Sequence, residues 1–555
     1  MSTDIPFFKL RFVPFLIVCF FSFYSCCKDD IPEPKAISKF DTTSGLKDID
    51  VKKQYDVVVY GGTAAGIIAA VELSKSRKSV LLIKPLNTAL GGMTANGLGI
   101  TDVVNTNILG GLTRDFYKSI KEYYSNSQNW FIGNAANYAR YSYDGDVMIW
   151  FEPKAAQYVL RDLIVKNAIP VLHTERLDLQ NGVTKNSLNA ITAIKMESGL
   201  IIQGKIFIDA TYEGDLMAKS GVSYAVGRES NSQYNEQTNG VQRIYATSRN
   251  QFPNGIKRLG YLMNLPPNGT GDKKIQAFCF RMCLTNAPEN RIKIEKPAGY
   301  DENDYDLLFE YLKLYNGNTF FDLMPLPNSK TDSNNFGPIS TNYVGKNYNY
   351  PEGNYSEREM IIADHKRYQI GFLWTLANHP KVPERIRDFY KEWGLPKDEF
   401  IDNGNWPNQL YIREARRMIS EYVITEKNCS GKIIADQGVA MGDYPMDSHI
   451  VQRYIDQNGN VKNEGQFMAR TPKPYPIDYR AIVPKQTECT NLFVPICLSA
   501  SRIAYSSLRM EPVYMSLGQA SAVAAILALN NNITVQNVPY ENLRNSLLEK
   551  KVVLQ

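Results

Sequence analysis

The stretch from Tyr55 to Lys84 constrains the fold more than any other. Tyr55-Asp56-Val57-Val58-Val59-Tyr60 is an apolar, β-branched run of the kind a parallel strand shows when it is covered on both faces. Gly61-Gly62-Thr63-Ala64-Ala65-Gly66 follows at once, then a helical stretch from Ile67 to Ser74 and a second buried run from Ser79 to Ile83. Together they make a βαβ unit of about 30 residues, which places the chain in the α/β class with a parallel, Rossmann-like sheet. The glycines permit a tight turn, so the helix N-terminus can face a pyrophosphate and its backbone N–H groups and dipole can offset the negative charge. Two positions depart from the G-x-G-x-x-G fingerprint. Thr63 takes the place of the middle glycine, and Lys84 stands at the end of the second strand where an acidic residue accepts hydrogen bonds from a ribose. A lysine there can only donate. It suits a 2′-phosphate, as in NADP, or it faces solvent while another group holds the ribose.

A second glycine segment follows, Leu90-Gly91-Gly92-Met93-Thr94-Ala95-Asn96-Gly97-Leu98-Gly99, ending in Thr101-Asp102. A Gly-Gly pair so soon after the second strand lets the backbone pass close to a bulky cofactor. With the first turn, this segment resembles the FAD-dependent oxidoreductase family related to glutathione reductase-type flavoproteins. The resemblance continues through Phe151-Glu152-Pro153, Phe207-Ile208-Asp209-Ala210-Thr211-Tyr212-Glu213-Gly214-Asp215, Gly337 to Thr341, Arg413-Glu414-Ala415-Arg416-Arg417, and Ser499 through Glu511-Pro512 to Leu517-Gly518-Gln519-Ala520. It covers roughly residues 54–530. It implies FAD, bound by Gly61, Gly62, Thr63, Ala64, Ala65, Gly66, Lys84, Gly91, Gly92, Met93, Thr94, Asp209, Ala210, Thr211, Gly214, Asp215, Gly518 and Gln519. It also implies a helix from Ser516 to Asn530 whose start lies near the flavin ring, where its dipole stabilises negative charge.

The organisation expected is discontinuous: a FAD-binding part at 53–235, a mixed α+β substrate or cap region at 236–480, the returning FAD-binding part at 481–535 and a C-terminal segment at 536–555. Within the middle region, Ala363–Leu376 and Val382–Trp393 have helical patterns, and 328–354 reads as a long loop. Tyrosine is frequent, at 34 residues, and concentrated between 300 and 370, which suits packing as well as carbohydrate contact. FAD carries the electron chemistry, and the protein must supply a proton acceptor or donor. The candidates are Arg502, Arg509, Glu511 and His449, with Arg281 behind them. Arg502 stands where the family often has His, and a guanidinium stays protonated. The 413–417 cluster reads as a salt-bridged helix or an anion site.

The N-terminus points to export. Lys9 and Arg11 precede the apolar run Phe12–Tyr24, which would rise only about 20 Å as a helix, too short to span a bilayer. Ser25-Cys26 then resembles a lipobox, with Cys26 as the lipidated residue and Cys27 as the alternative, so 1–27 reads as a signal peptide and 28–52 as a tether. The five later cysteines (Cys279, Cys283, Cys429, Cys489 and Cys497) show neither disulfide nor zinc spacing. With 62 basic and 57 acidic residues interspersed, there is no footprint for nucleic acid. The expected protein is an outer-membrane or surface lipoprotein that oxidises a small substrate, a sugar derivative being one class. It would pass electrons to a quinone, a redox protein or O₂, since NADPH is scarce outside the cytoplasm. The alternatives are a glycan-binding protein on a flavin-free version of the fold, with Lys84 as its mark, and polysaccharide lyase-type activity.

Overall fold

A computed structural model describes residues 49–555 apart from 86–89, 244–249, 259, 264 and 318. The expected signal peptide, the expected lipidation site Cys26 and all but the end of the expected tether lie outside the described residues. Strand β1 (Gln54–Tyr60) sits at the centre of the main sheet, flanked in parallel by β2 (Val80–Lys84) and β6 (Ile201–Asp209). Beyond β2 lies β3 (Val171–His173), also parallel. The burial of β6 alternates over its first five residues and is complete over its last four, and the pairing follows that change. Its first part joins an antiparallel excursion with β5 (Ile191–Lys195) and β4 (Val183–Lys185). Its last part is paired at Phe207 and Ile208 by the returning strand Leu492–Phe493. That strand is shorter than the Leu492–Cys497 run suggests.

Helix α1 (Ala64–Lys75) starts where Thr63, in extended conformation, accepts the Gly66 N–H on its hydroxyl at 3.2 Å. A short turn, α2 (Gly92–Ala95), carries the second glycine segment, and α3 (Gly111–Ser125) and α4 (Pro153–Lys166) follow. The helix Glu511–Asn531 packs most extensively on α1. Among the described residues it alone is long and apolar enough to cross a membrane, and it is almost wholly buried in the core. It begins at Glu511-Pro512, five residues before the start expected from sequence, because proline suits the first helical turn.

The middle region holds the helices Tyr355–Asn378 and Glu384–Lys391, the former opened by an Asn354/Glu357 capping box. Its strands include Met282–Thr285, which pairs with Lys330–Ser333. Two expectations are corrected here. The long loop at 328–354 contains the fully buried strand Lys330–Ser333, whose Lys330 and Asp332 are ion-paired inside the protein. Residues 413–417 are not a helix. They run as irregular chain into a two-residue strand, Arg417–Met418, because each charged side chain is drawn to a different distant partner. The tyrosine-rich part packs on itself: Tyr343 stacks on Tyr368 at 4.0 Å and Tyr368 on Tyr305 at 5.6 Å. All five cysteines beyond Cys27 are buried thiols.

Candidate active site

The first glycine turn is closed by contacts that leave no room for side chains. A Cβ at Gly66 would lie 2.0 Å from the Gly61 carbonyl oxygen, and Gly61 itself has φ +125°. Thr63 donates to the Ala210 carbonyl at 2.8 Å, which fixes the turn to the end of β6. The Ala65 amide, in the first turn of α1, has no acceptor among the described residues. Lys84 is buried (9% exposed) rather than solvent-facing, and its stem fills the space a Cβ on Gly62 would need, 2.9 Å away. Burial lowers its pKa, and Asp402 opposes that shift.

The second glycine segment is held by Glu511. Its carboxylate accepts Thr94 Oγ1 at 2.5 Å and Tyr212 Oη at 2.8 Å, while Tyr212 Oη accepts the Met93 N–H at 2.8 Å. A Cβ on Gly92 would lie 2.3 Å from that same Oη. Burial pushes Glu511 up to about 7, against the two hydroxyl donors.

Beyond Gly97 the segment meets a cluster of cations and carboxylates. Arg281 binds Asp332 through both Nε (2.8 Å) and Nη2 (2.6 Å), and Asp332 Oδ2 accepts the Gly99 and Ile100 N–H groups at 3.0 and 2.9 Å. Arg509 donates to Tyr411 Oη at 2.7 Å and to Asp447 Oδ2 at 3.0 Å. His449 Nε2 lies 3.0 Å from the same Asp447 oxygen, and its Nδ1 is buried without a partner. Burial, reinforced by Arg413, lowers His449 to about 4, so the ring is neutral at pH 7. Its Nε2 then carries the hydrogen given to Asp447, which leaves a lone pair on Nδ1. Asp102 lies in the electrostatic reach of Arg281, Arg509 and Asp447, and burial raises its pKa. Asp102, Tyr444 and Asp447 are partly exposed, so the cluster opens to solvent there.

A model of the FAD-dependent oxidoreductase family matches residues 56–547. The chain belongs to this family. The cofactor of that family is FAD, which speaks against the flavin-free reading. No curated protein matches it. Among solved structures, P. aeruginosa PqsL in complex with 2-aminobenzoylacetate is 8% identical over 90% of this chain and 94% of its own, with a TM-score of 0.34. L-proline dehydrogenase from P. horikoshii is 16% identical over 32% of this chain and 59% of its own, with a TM-score of 0.23. L-amino acid deaminase from Proteus vulgaris is 15% identical over 33% and 54%, with a TM-score of 0.23. The chain thus spans less than two thirds of the latter two.

The donor chemistry at the first turn fits FAD: a free amide at a helix N-terminus, beside glycines that allow close approach, suits a pyrophosphate. Thr63, Ala64, Ala65 and Gly66 would hold it there, with Gly91, Gly92, Met93 and Thr94 along the next stretch. When bound, FAD supplies a two-electron acceptor. Other residues expected at the cofactor have side chains engaged within the protein. Asp209 accepts from Thr211 N and Oγ1 and from Met217 N at 2.7–3.1 Å, so its carboxylate shapes its own turn, with Gly214 at φ +69°. Asp215 is bound by Arg358 through two hydrogen bonds and by Arg416 at 2.8 Å. Gly518 abuts Ala65 in the helix crossing, and Gln519 bridges Leu112 N–H (3.0 Å) and Glu72 (2.9 Å). The early start of its helix puts that pair two turns inside.

Of the catalytic candidates, Arg509, His449 and Arg281 meet in one cluster, and Glu511 sits beside it. Arg502 is diverted: it pairs with Glu414 at 3.2 Å and donates to Ser448 at 2.7 Å. Tyr411, Asp332 and Asp447 were missed. The Asp447-Ser448-His449 run was the one local signal for an acid beside a histidine. Separately, Glu152, Asp398 and Glu399 bring carboxylate oxygens within 4.8 Å of one another. Lys330 Nζ stands among them at 2.7–2.8 Å from each, so an ammonium takes the place a cation would.

Proposed function

We propose that this flavoenzyme oxidises a small hydroxylated substrate, a sugar derivative being the favoured class, in the cluster around Asp447 and His449. The observation that carries the reading is the Asp447–His449 pair, with a neutral imidazole whose Nδ1 is buried without a partner, and Arg509 bound to the same Asp447 oxygen. A carbinol carbon that gives up a hydride must also release its hydroxyl proton. His449 Nδ1 accepts that proton, and Asp447 fixes the tautomer and stabilises the imidazolium. Arg509 and Tyr411 orient the substrate. The test is anaerobic mixing of the flavin-loaded protein with a panel of sugars, polyols and sugar acids, following loss of the oxidised-flavin absorbance. At least one should bleach the flavin. If dithionite bleaches it and no panel member does, the reading fails.

The same reading places the protein at the cell surface, anchored through Cys26, with electrons passing to a quinone, a redox protein or O₂. The sequence from Lys9 to Cys26 supports this. Palmitate labelling that disappears in Cys26→Ala would bear it out, and labelling retained there but lost in Cys27→Ala would move the anchor by one residue.

A further inference from the structure

Among the described residues, the buried arginines are matched to carboxylates with one exception. Arg228 has Asp272 at 2.6 Å and Glu464 at 2.7 Å, Arg358 has Asp215 at 2.6 Å, and Arg417 has Glu229 at 2.6 Å. Arg413 is fully buried and has no carboxylate within 4 Å among the described residues. Its partners are neutral: the Ala277 carbonyl, Asn342 Oδ1 (3.1 Å), Asn335 Oδ1 (3.3 Å) and Cys279 Sγ (3.1 Å). Its Nε has no partner, nor has Nε of the equally buried Arg509. A buried charge without a counter-ion is expensive to keep, and a protein that pairs its other guanidiniums has a reason to leave one open.

We propose that Arg413, Arg509 and Tyr411 form a receptor for a carboxylate on the substrate, so that the enzyme acts on a small organic acid rather than on its neutral counterpart. This rests on the reading that the surrounding cluster is the substrate site. The Tyr411 ring contacts both cations, its centroid 4.8 Å from the Arg413 guanidinium and 5.6 Å from that of Arg509. Its hydroxyl oxygen accepts from Arg509, which leaves its own hydrogen for a ligand oxygen. Guanidiniums and a phenol are also the donors that bind a carboxylate best.

The test is calorimetric titration of the flavin-loaded protein with pairs that differ at one group: D-glucuronate against D-glucose, and benzoate against benzyl alcohol. In at least one pair the carboxylate should bind tenfold or more tightly, and the margin should shrink as NaCl is added. Tyr411→Phe should weaken carboxylate binding three- to tenfold, and more than it weakens binding of the neutral partner. Arg413→Gln should erase the preference, and if that variant does not fold, Tyr411→Phe alone decides. Equal affinities in both pairs, or no binding by either carboxylate, overturn the receptor. So does Tyr411→Phe binding carboxylate as tightly as the parent. The two readings fail separately: carboxylate binding with no flavin bleaching by any panel compound sinks the oxidation, whereas bleaching by neutral sugars without a charge preference sinks the receptor.

Discussion

Replacing Glu511 with Gln should change how stability depends on pH more than it changes stability itself. In the folded protein burial raises this carboxyl from its ordinary value near 4.5 to about 7. A group with a raised folded pKa adds stability that is fully present below the unfolded value and is lost as pH rises through the folded one. At about 1.4 kcal/mol per pKa unit, the contribution of Glu511 should fall by roughly 2–3 kcal/mol between pH 5 and pH 8 and then level off. The amide that Glu511→Gln introduces does not titrate. It must turn its NH₂ toward Thr94 or Tyr212, whose hydroxyls both donate to the native carboxylate, at a cost of about 1 kcal/mol. The variant should therefore be the weaker protein at pH 5 and the equal or stronger one at pH 8. Urea unfolding of both proteins at a fixed excess of FAD, in half-unit steps of pH, measures the difference. Taking the difference also cancels Glu399, which burial likewise raises to about 7 and which is common to both. Parallel stability curves from pH 5 to 8 would refute the reasoning, because they would mean that Glu511 is ionised throughout and that its two hydroxyl donors outweigh its burial.

Three further outcomes follow from single contacts. Gly66→Ala places a methyl against a backbone oxygen that cannot yield, whereas Gly62→Ala meets the flexible stem of Lys84. FAD titration by fluorescence should therefore show at least a tenfold loss of affinity for Gly66→Ala and a smaller one for Gly62→Ala. Lys330→Met leaves Glu152 and Glu399 buried without their ammonium, and urea unfolding at pH 8 should record a loss of about 3–5 kcal/mol. His449→Asn should lower turnover about 10²- to 10⁴-fold at unchanged flavin content, as expected for loss of a proton acceptor.

The sequence made the first βαβ unit plain because all its information is local. Strands covered on both faces are written as unbroken apolar runs, and a turn with contacts at 2.0 Å admits only glycine. Where burial is achieved by pairing charges, composition misleads. Lys330-Thr331-Asp332-Ser333 has the composition of a loop, yet every residue of that strand is buried, because Lys330 and Asp332 find partners on other segments. The 413–417 run looked helical for the same reason: its charges could satisfy one another at helical spacing, but in the fold they face Asp215, Glu229 and Arg502 instead. The start of the last helix was readable in Pro512, a proline at the first turn. The substrate cluster was not, since its members come from segments around 102, 281, 332, 411 and 447 that no spacing rule connects.

The short return of the chain from Leu492 to Glu511 reaches both the cluster and the second glycine segment. It completes the sheet against β6, then places Arg502 against Glu414, Arg509 against Asp447 and Tyr411, and Glu511 against Thr94 and Tyr212. Arg509 and Glu511 are two residues apart, yet one faces the substrate cluster and the other the second glycine segment. The Met510 between them caps the final helix, so their separation is set by the helix start rather than by flexible chain. A substitution in this return therefore disturbs the cofactor segment and the substrate cluster together. Loss of activity in such a variant identifies a chemical role only when flavin content is unchanged. Tyr411 and His449, which reach the cluster from other segments, are for that reason the cleaner places to separate binding from proton transfer.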